Sequence, residues 1–156
     1  LKRPDLVNRL IVADIAPVAY SHSQMPYIKA MKAVDLSGIE KRSDAAPLLA
    51  PHVDDPALIP FFLQSLDVKG KRWVLNLDVL EKEMHWVMGF PDMTGPYEGK
   101  TLFLSGALSN YVKPEYRPEM KRLFPNSNFA KIPQAGHWLH AEKPREFEAA
   151  IRAWLM

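Results

Sequence analysis

Two short stretches of the chain are almost continuously apolar. Residues 9–15 read Arg-Leu-Ile-Val-Ala-Asp-Ile, and residues 101–105 read Thr-Leu-Phe-Leu-Ser. Short apolar runs without alternation belong to strands covered on both faces, as in parallel sheets. A third strand is predicted over residues 128–132. The first run ends in Asp14-Ile15-Ala16-Pro17, which puts a carboxylate at a strand's C-terminal end. In open α/β sheets, that is the edge where sites form.

Between the first two runs the pattern is mostly helical. Ile28, Met31, Ala33 and Val34 predict a helix over 27–36, and a shorter one is expected over 44–49. Asp55-Pro56 heads a helix over 57–66, with Asp as N-cap and Pro in the first turn. Residues 68–77 contain Gly70 and predict a short hairpin or an extended passage. Helices are expected again over 79–88 and over 114–123, the latter closed by Phe124-Pro125-Asn126. A loop of Gly136-His137-Trp138-Leu139-His140 follows the third strand. An amphipathic helix over 144–155 ends the chain, with Phe147, Ile151, Trp154 and Leu155 on its apolar side. The skeleton is strand, helical insertion, strand, helix, strand, helix. Such alternation implies right-handed crossovers and a parallel sheet, an α/β protein.

Composition adds limits. The chain has 156 residues, 47% hydrophobic and 24% charged, which excludes the disordered and collagen-like classes. With no Cys there are no disulfides, thiolate metal sites or Cys nucleophiles. A net charge of +2 gives no argument for a nucleic-acid partner. No apolar run approaches the length of a membrane span. The chain opens with Leu1 rather than Met, and residues 1–7 read like the last turn of a helix running into a turn. Three strands also make a small sheet for so long an insertion. Both features suggest a chain that starts inside a domain.

Few residues are placed to carry chemistry. His137 lies in a Gly-flanked loop after a strand, where a general base can reach a nucleophile; the alternative is a histidine that only braces its own loop. His140, three residues on, has no third ligand at a recognisable spacing, so a structural role near the last helix is expected instead of a metal site. Asp14 suits the acid that orients His137, or else a helix N-cap or turn residue before Pro. Asp78 is a second candidate acid, or the N-cap of the helix over 79–88. The loop 106–112, where many hydrolases keep the acid, has no carboxylate. There is no Gly-x-Ser-x-Gly and no Gly-rich phosphate loop. Ser105 and Ser109 lack the elbow context of a nucleophile. The four Trp and the Met residues 25, 31, 84 and 88 are expected to pack cores or caps rather than to line a binding platform.

Taken together, the motifs resemble a family. Residues 3–18, Phe103-Leu104-x-Gly106-x-x-Ser109-x-Tyr111-Val112, Arg122-Leu123-Phe124-Pro125 and Ala135-Gly136-His137-Trp138-x-His140-Ala141-Glu142-Lys143-Pro144 are similar to α/β-hydrolases of the YbfF-like esterase group. Animal mitochondrial serine hydrolases with an abhydrolase domain share the pattern, including residues 74–78 and Phe90-Pro91. The resemblance implies the C-terminal half of an α/β-hydrolase fold. Residues 1–19 would hold a core strand and the acid loop, 20–93 a helical cap, and 94–156 the remaining core with the His loop. It makes His137 the base and Asp14 the acid, with Asp78 kept second. It places the Ser nucleophile and the oxyanion-hole loop upstream of Leu1.

No metal or organic cofactor is implied. The implied reaction is hydrolysis of a carboxylic ester or thioester with an apolar acyl group, and the implied partner is the N-terminal half of the same hydrolase. The resemblance implies a mitochondrial location in an animal and a cytoplasmic one otherwise. Two other readings remain: an inactive fragment, or a hydrolase-fold scaffold without chemistry.

Overall fold

The computed structural model describes residues 3–93 and 95–156. The chain divides into two units, Leu1–Val18 with Pro91–Met156, and Ala19–Phe90. The helical turn expected at the start lies partly outside the described residues, at Leu1 and Lys2. Pro4–Leu6 forms a single 3-10 turn.

In the first unit, strand β1 (Arg9–Ala13) stops one residue before Asp14, which has φ 47°. Asp is among the few side chains that tolerate this left-handed conformation. The second unit follows. It contains helices α1 (Met25–Ala33), α2 (Ala46–Leu49) and α3 (Leu58–Leu63), a hairpin of β2 (Leu66–Asp67) and β3 (Arg72–Trp73), and helix α4 (Leu77–Met88). The first unit resumes with β4 (Lys100–Gly106), helix α5 (Arg117–Leu123), β5 (Ser127–Ile132), the one-turn helix α6 (Leu139–Glu142) and helix α7 (Pro144–Leu155).

The sheet of the first unit has the order β1-β4-β5 and is parallel throughout. Strand β4 explains its own apolar run. Successive side chains point to opposite faces. Phe103 packs with Met120, Leu123 and Phe124 on one face. Leu102 and Leu104 pack with Ile132, Leu139, Phe147, Ile151 and Trp154 on the other. Strand β1 was expected to be buried in the same way, but its first four residues are only half-buried and Ala13 is exposed. Among the described residues it pairs with β4 alone, so one backbone edge has no strand beside it. Helix α7 packs Phe147, Ala150, Ile151 and Trp154, each partly buried, against the sheet, whereas Leu155, predicted on that face, is 55% exposed. The Arg9 guanidinium donates to the Trp154 carbonyl at 2.7 Å and so caps this helix's end.

The second unit has its own core of Ile28, Met31, Ile39, Leu49, Leu63, Leu66, Leu77 and Met84. Met25 and Met88 pack against it, so the four methionines serve core packing. Trp73 joins them through an Nε1–H bond to the Met31 carbonyl at 2.8 Å. Trp86 does not follow the expectation of packing, being 69% exposed. The hairpin is shorter and starts earlier than predicted. The Asp67 carboxylate accepts the Gly70 N–H at 3.0 Å, which closes the turn locally. The helix headed by Asp55-Pro56 starts at Leu58, because Asp55 binds the Ala57 N–H at 2.9 Å in a turn of its own. Helix α4 is capped by Asn76, whose side chain accepts from the Val79 N–H at 3.1 Å. Asp78, offered as that cap, lies inside the first turn instead.

Asp44 accepts the N–H groups of Glu40 and Lys41 at 3.0 Å each, and these bonds hold its carboxyl below the usual range. A lowered folded value stabilises above the unfolded pKa and loses that contribution as pH falls through the folded one. Acid unfolding of the second unit, followed by circular dichroism, is therefore expected to steepen below about pH 4 in the parent and to flatten in Asp44→Ala.

Candidate active site

Three loops meet at the carboxyl edge of the parallel sheet. They follow β1, β4 and β5, and each delivers one polar side chain: Asp14, Ser109 and His137. The left-handed turn at Asp14 still lets its N–H bond the Leu104 carbonyl at 2.8 Å, which continues the ladder one residue beyond the strand. From there the carboxylate reaches across the end of β4. Its Oδ1 accepts the Gly106 N–H at 3.0 Å. Its Oδ2 accepts the Ser109 hydroxyl at 2.5 Å and lies 2.8 Å from Nδ1 of His137.

Burial divides the pair. The Asp14 side chain is 0% exposed and that of His137 is 40% exposed. A buried carboxylate is costly unless it is hydrogen-bonded, and here three donors surround it. A carboxylate only accepts, so in the neutral imidazole the nitrogen against it carries the proton and Nε2 is left with the lone pair. The ring is held flat by Tyr111, which stacks on it with centroids 3.7 Å apart and planes 12° apart. The Tyr111 N–H in turn donates to Ser109 Oγ at 3.2 Å. The result is a half-exposed imidazole with one fixed tautomer over a buried acid.

Gly106 is required by a close approach. A Cβ there would fall onto the carbonyl oxygens of Ala135 and Gly136, at the base of the histidine loop. Gly106→Ala is expected to push that loop off the sheet and to cost about 1–3 kcal/mol in a denaturant melt.

The structure brings Asp14 and His137 together. Asp78 has different company, since its carboxylate is 85% exposed and ion-paired with Lys32 Nζ at 2.6 Å, with Glu81 as the second partner of that lysine. His140 sits in α6 with its ring beside Phe147. Among the described residues no cluster of three or more His, Cys, Asp or Glu is placed to hold a metal ion, and no helix is long and apolar enough to cross a membrane. Two members of the site were not predicted. Ser109 was set aside for lacking nucleophile context, although it stands in the loop that lacked a carboxylate. Tyr111 belonged to a quoted motif, but no spacing rule places it on an imidazole.

The fold and this edge of the sheet define a class. A sequence model of the family described as alpha/beta hydrolase fold matches residues 58–144, and the chain belongs to that family. Among relatives, it is 40% identical over 163 residues to the mouse (Mus musculus) sn-1-specific diacylglycerol lipase ABHD11, an alignment covering 99% of this chain and 53% of that protein. It is 34% identical over 152 residues to Escherichia coli esterase YbfF, covering 97% of this chain and 59% of that one. A solved marine microorganism esterase superposes with a TM-score of 0.88 at 34% identity, over 97% of this chain and 62% of that structure. The chain thus spans about half the length of the curated relatives it matches.

Proposed function

We propose that these residues are the acid–base half of a serine esterase, the C-terminal part of a longer hydrolase whose nucleophile lies outside the 156 residues. The observation that carries the reading is the 2.8 Å pairing of buried Asp14 with half-exposed His137 at the carboxyl edge of the sheet. In this reading His137 Nε2 takes the proton of a serine hydroxyl as the serine attacks an ester carbonyl, then returns it to the leaving alcohol. Asp14 holds the tautomer and stabilises the imidazolium that forms. Ser109 and the Gly106 amide keep the carboxylate in place. Asp78 is left to its ion pair with Lys32.

Relatives named as esterases and a lipase support a carboxylic ester as the substrate class; an apolar acyl chain, and a thioester in place of the ester, belong to the same proposal. The Ala19–Phe90 unit is the proposed cap, with methionines in its core. The compartment would be mitochondrial in an animal and cytoplasmic elsewhere. The test is labelling of the whole protein by a fluorophosphonate probe, together with hydrolysis of short p-nitrophenyl esters. Labelling and turnover are expected. Their absence in well-folded whole protein overturns the reading in favour of a scaffold without chemistry.

A further inference from the structure

We infer that Glu142 is a positioning residue which clamps the backbone on both sides of His137. The inference rests on the reading of His137 as the base. One oxygen of the Glu142 carboxylate accepts the Gly136 N–H at 2.7 Å, and the other accepts the Trp138 N–H at 3.2 Å. The Trp138 N–H lies in the peptide that follows His137 and the Gly136 N–H in the Ala135–Gly136 peptide just before it, so a single side chain holds the backbone on both sides of the ring. Bonds from N–H to an ionised carboxylate are about twice as strong as neutral ones.

The local fold makes this reach possible. The Glu142 N–H bonds the Trp138 carbonyl at 2.8 Å, which closes the single turn of α6. A carboxylate one turn into a helix can bend back to the N–H of the residue that starts it, as in a capping box. Here it extends two residues further back, to Gly136. Gly136 has no Cβ, and one built there would sit 3.0 Å and 3.3 Å from the two Glu142 oxygens. On its other side the loop rests on Gly106, where a Cβ would collide with its carbonyls. Gln134 enters the loop at φ 57° and Ala135 is fully buried. The loop is therefore set by the sheet end beneath, by Asp14 at the ring, and by Glu142 at the backbone.

Without the clamp, two N–H groups lose their acceptor and the loop is free to settle elsewhere. A displacement of about 1 Å at a catalytic group can cost about 10²-fold in rate. In the whole hydrolase, Glu142→Ala is expected to lower kcat by about 10²-fold, and Glu142→Gln, which keeps one acceptor, by about tenfold. KM should stay within about twofold, because the clamp acts on the base rather than on substrate binding.

A direct reading comes from 15N–1H spectra of the protein between pH 3 and 7. The Gly136 and Trp138 amide protons are expected to move together along one carboxylate titration in the parent, and to stop doing so in Glu142→Gln. That near-isosteric variant decides the matter if Glu142→Ala does not fold. The inference is overturned if the two amides follow no common titration, or if Glu142→Gln leaves kcat within twofold of the parent. If instead His137→Ala keeps full activity while the amides titrate as expected, the clamp stands as geometry and the proposed role of His137 falls.

Discussion

Replacing His137 with alanine is expected to lower kcat for p-nitrophenyl ester hydrolysis by about 10⁴-fold or more. The proposed mechanism has no second base at this edge: nothing else among the described residues joins a buried carboxylate to a half-exposed imidazole. In triad enzymes, losing the base costs nearly as much as losing the whole triad, since the residues act as a unit. The fold should survive the change. Asp14 would keep the Gly106 amide and the Ser109 hydroxyl as donors, so its charge would not be left buried without partners. The check is steady-state kinetics beside a thermal melt. A variant that keeps more than a tenth of the parent kcat, with an unchanged melting midpoint, rules His137 out as the base.

Asp14→Asn is expected to be almost as severe, at about 10³–10⁴-fold in kcat with little change in KM. Asparagine fits the same space and tolerates the left-handed turn at φ 47°, so shape is kept while the charge is lost. What changes is the imidazole. An amide NH2 facing Nδ1 favours the tautomer with its proton on Nε2, which removes the lone pair the reaction needs; this is the effect known for the orienting Asp of a serine protease. Asp78→Asn is the companion measurement. Its carboxylate is exposed and paired with Lys32, so activity within about twofold of the parent is expected. A large loss in Asp78→Asn with a small one in Asp14→Asn would exchange their roles.

Much of this arrangement was legible in the chain. The apolar runs at 9–15 and 101–105 correspond to parallel neighbours, and the turn signals around Pro125 and Gly136 bound the next elements. A carboxylate ending one strand and a Gly-His loop after another pointed to one edge of the sheet. Short-range detail was less legible. Asn76 took the cap offered to Asp78 because it stands one residue before the helix and its side chain reaches the third amide. Asp55 closed its own turn and delayed the helix it seemed to start. Both are competitions between neighbouring polar side chains for the same few amides, and patterning does not rank such competitors.

The sequence by itself determined the class of fold, because apolar period and turn chemistry are local properties that a strand or helix must satisfy wherever it packs. It also singled out His137 as the candidate base, because a histidine in a Gly-His loop after a strand lies at the edge of the sheet where sites form. Only the tertiary structure decided what stands around that histidine. Asp14 and His137 are 123 positions apart, Asp14 and Ser109 are 95 apart, and their distances follow from the register of β1 and β5 on β4. Ser109, Tyr111 and Glu142 were ordinary polar residues in one dimension. They became parts of a site only when three strand ends were brought within hydrogen-bond reach of one buried carboxylate and one loop.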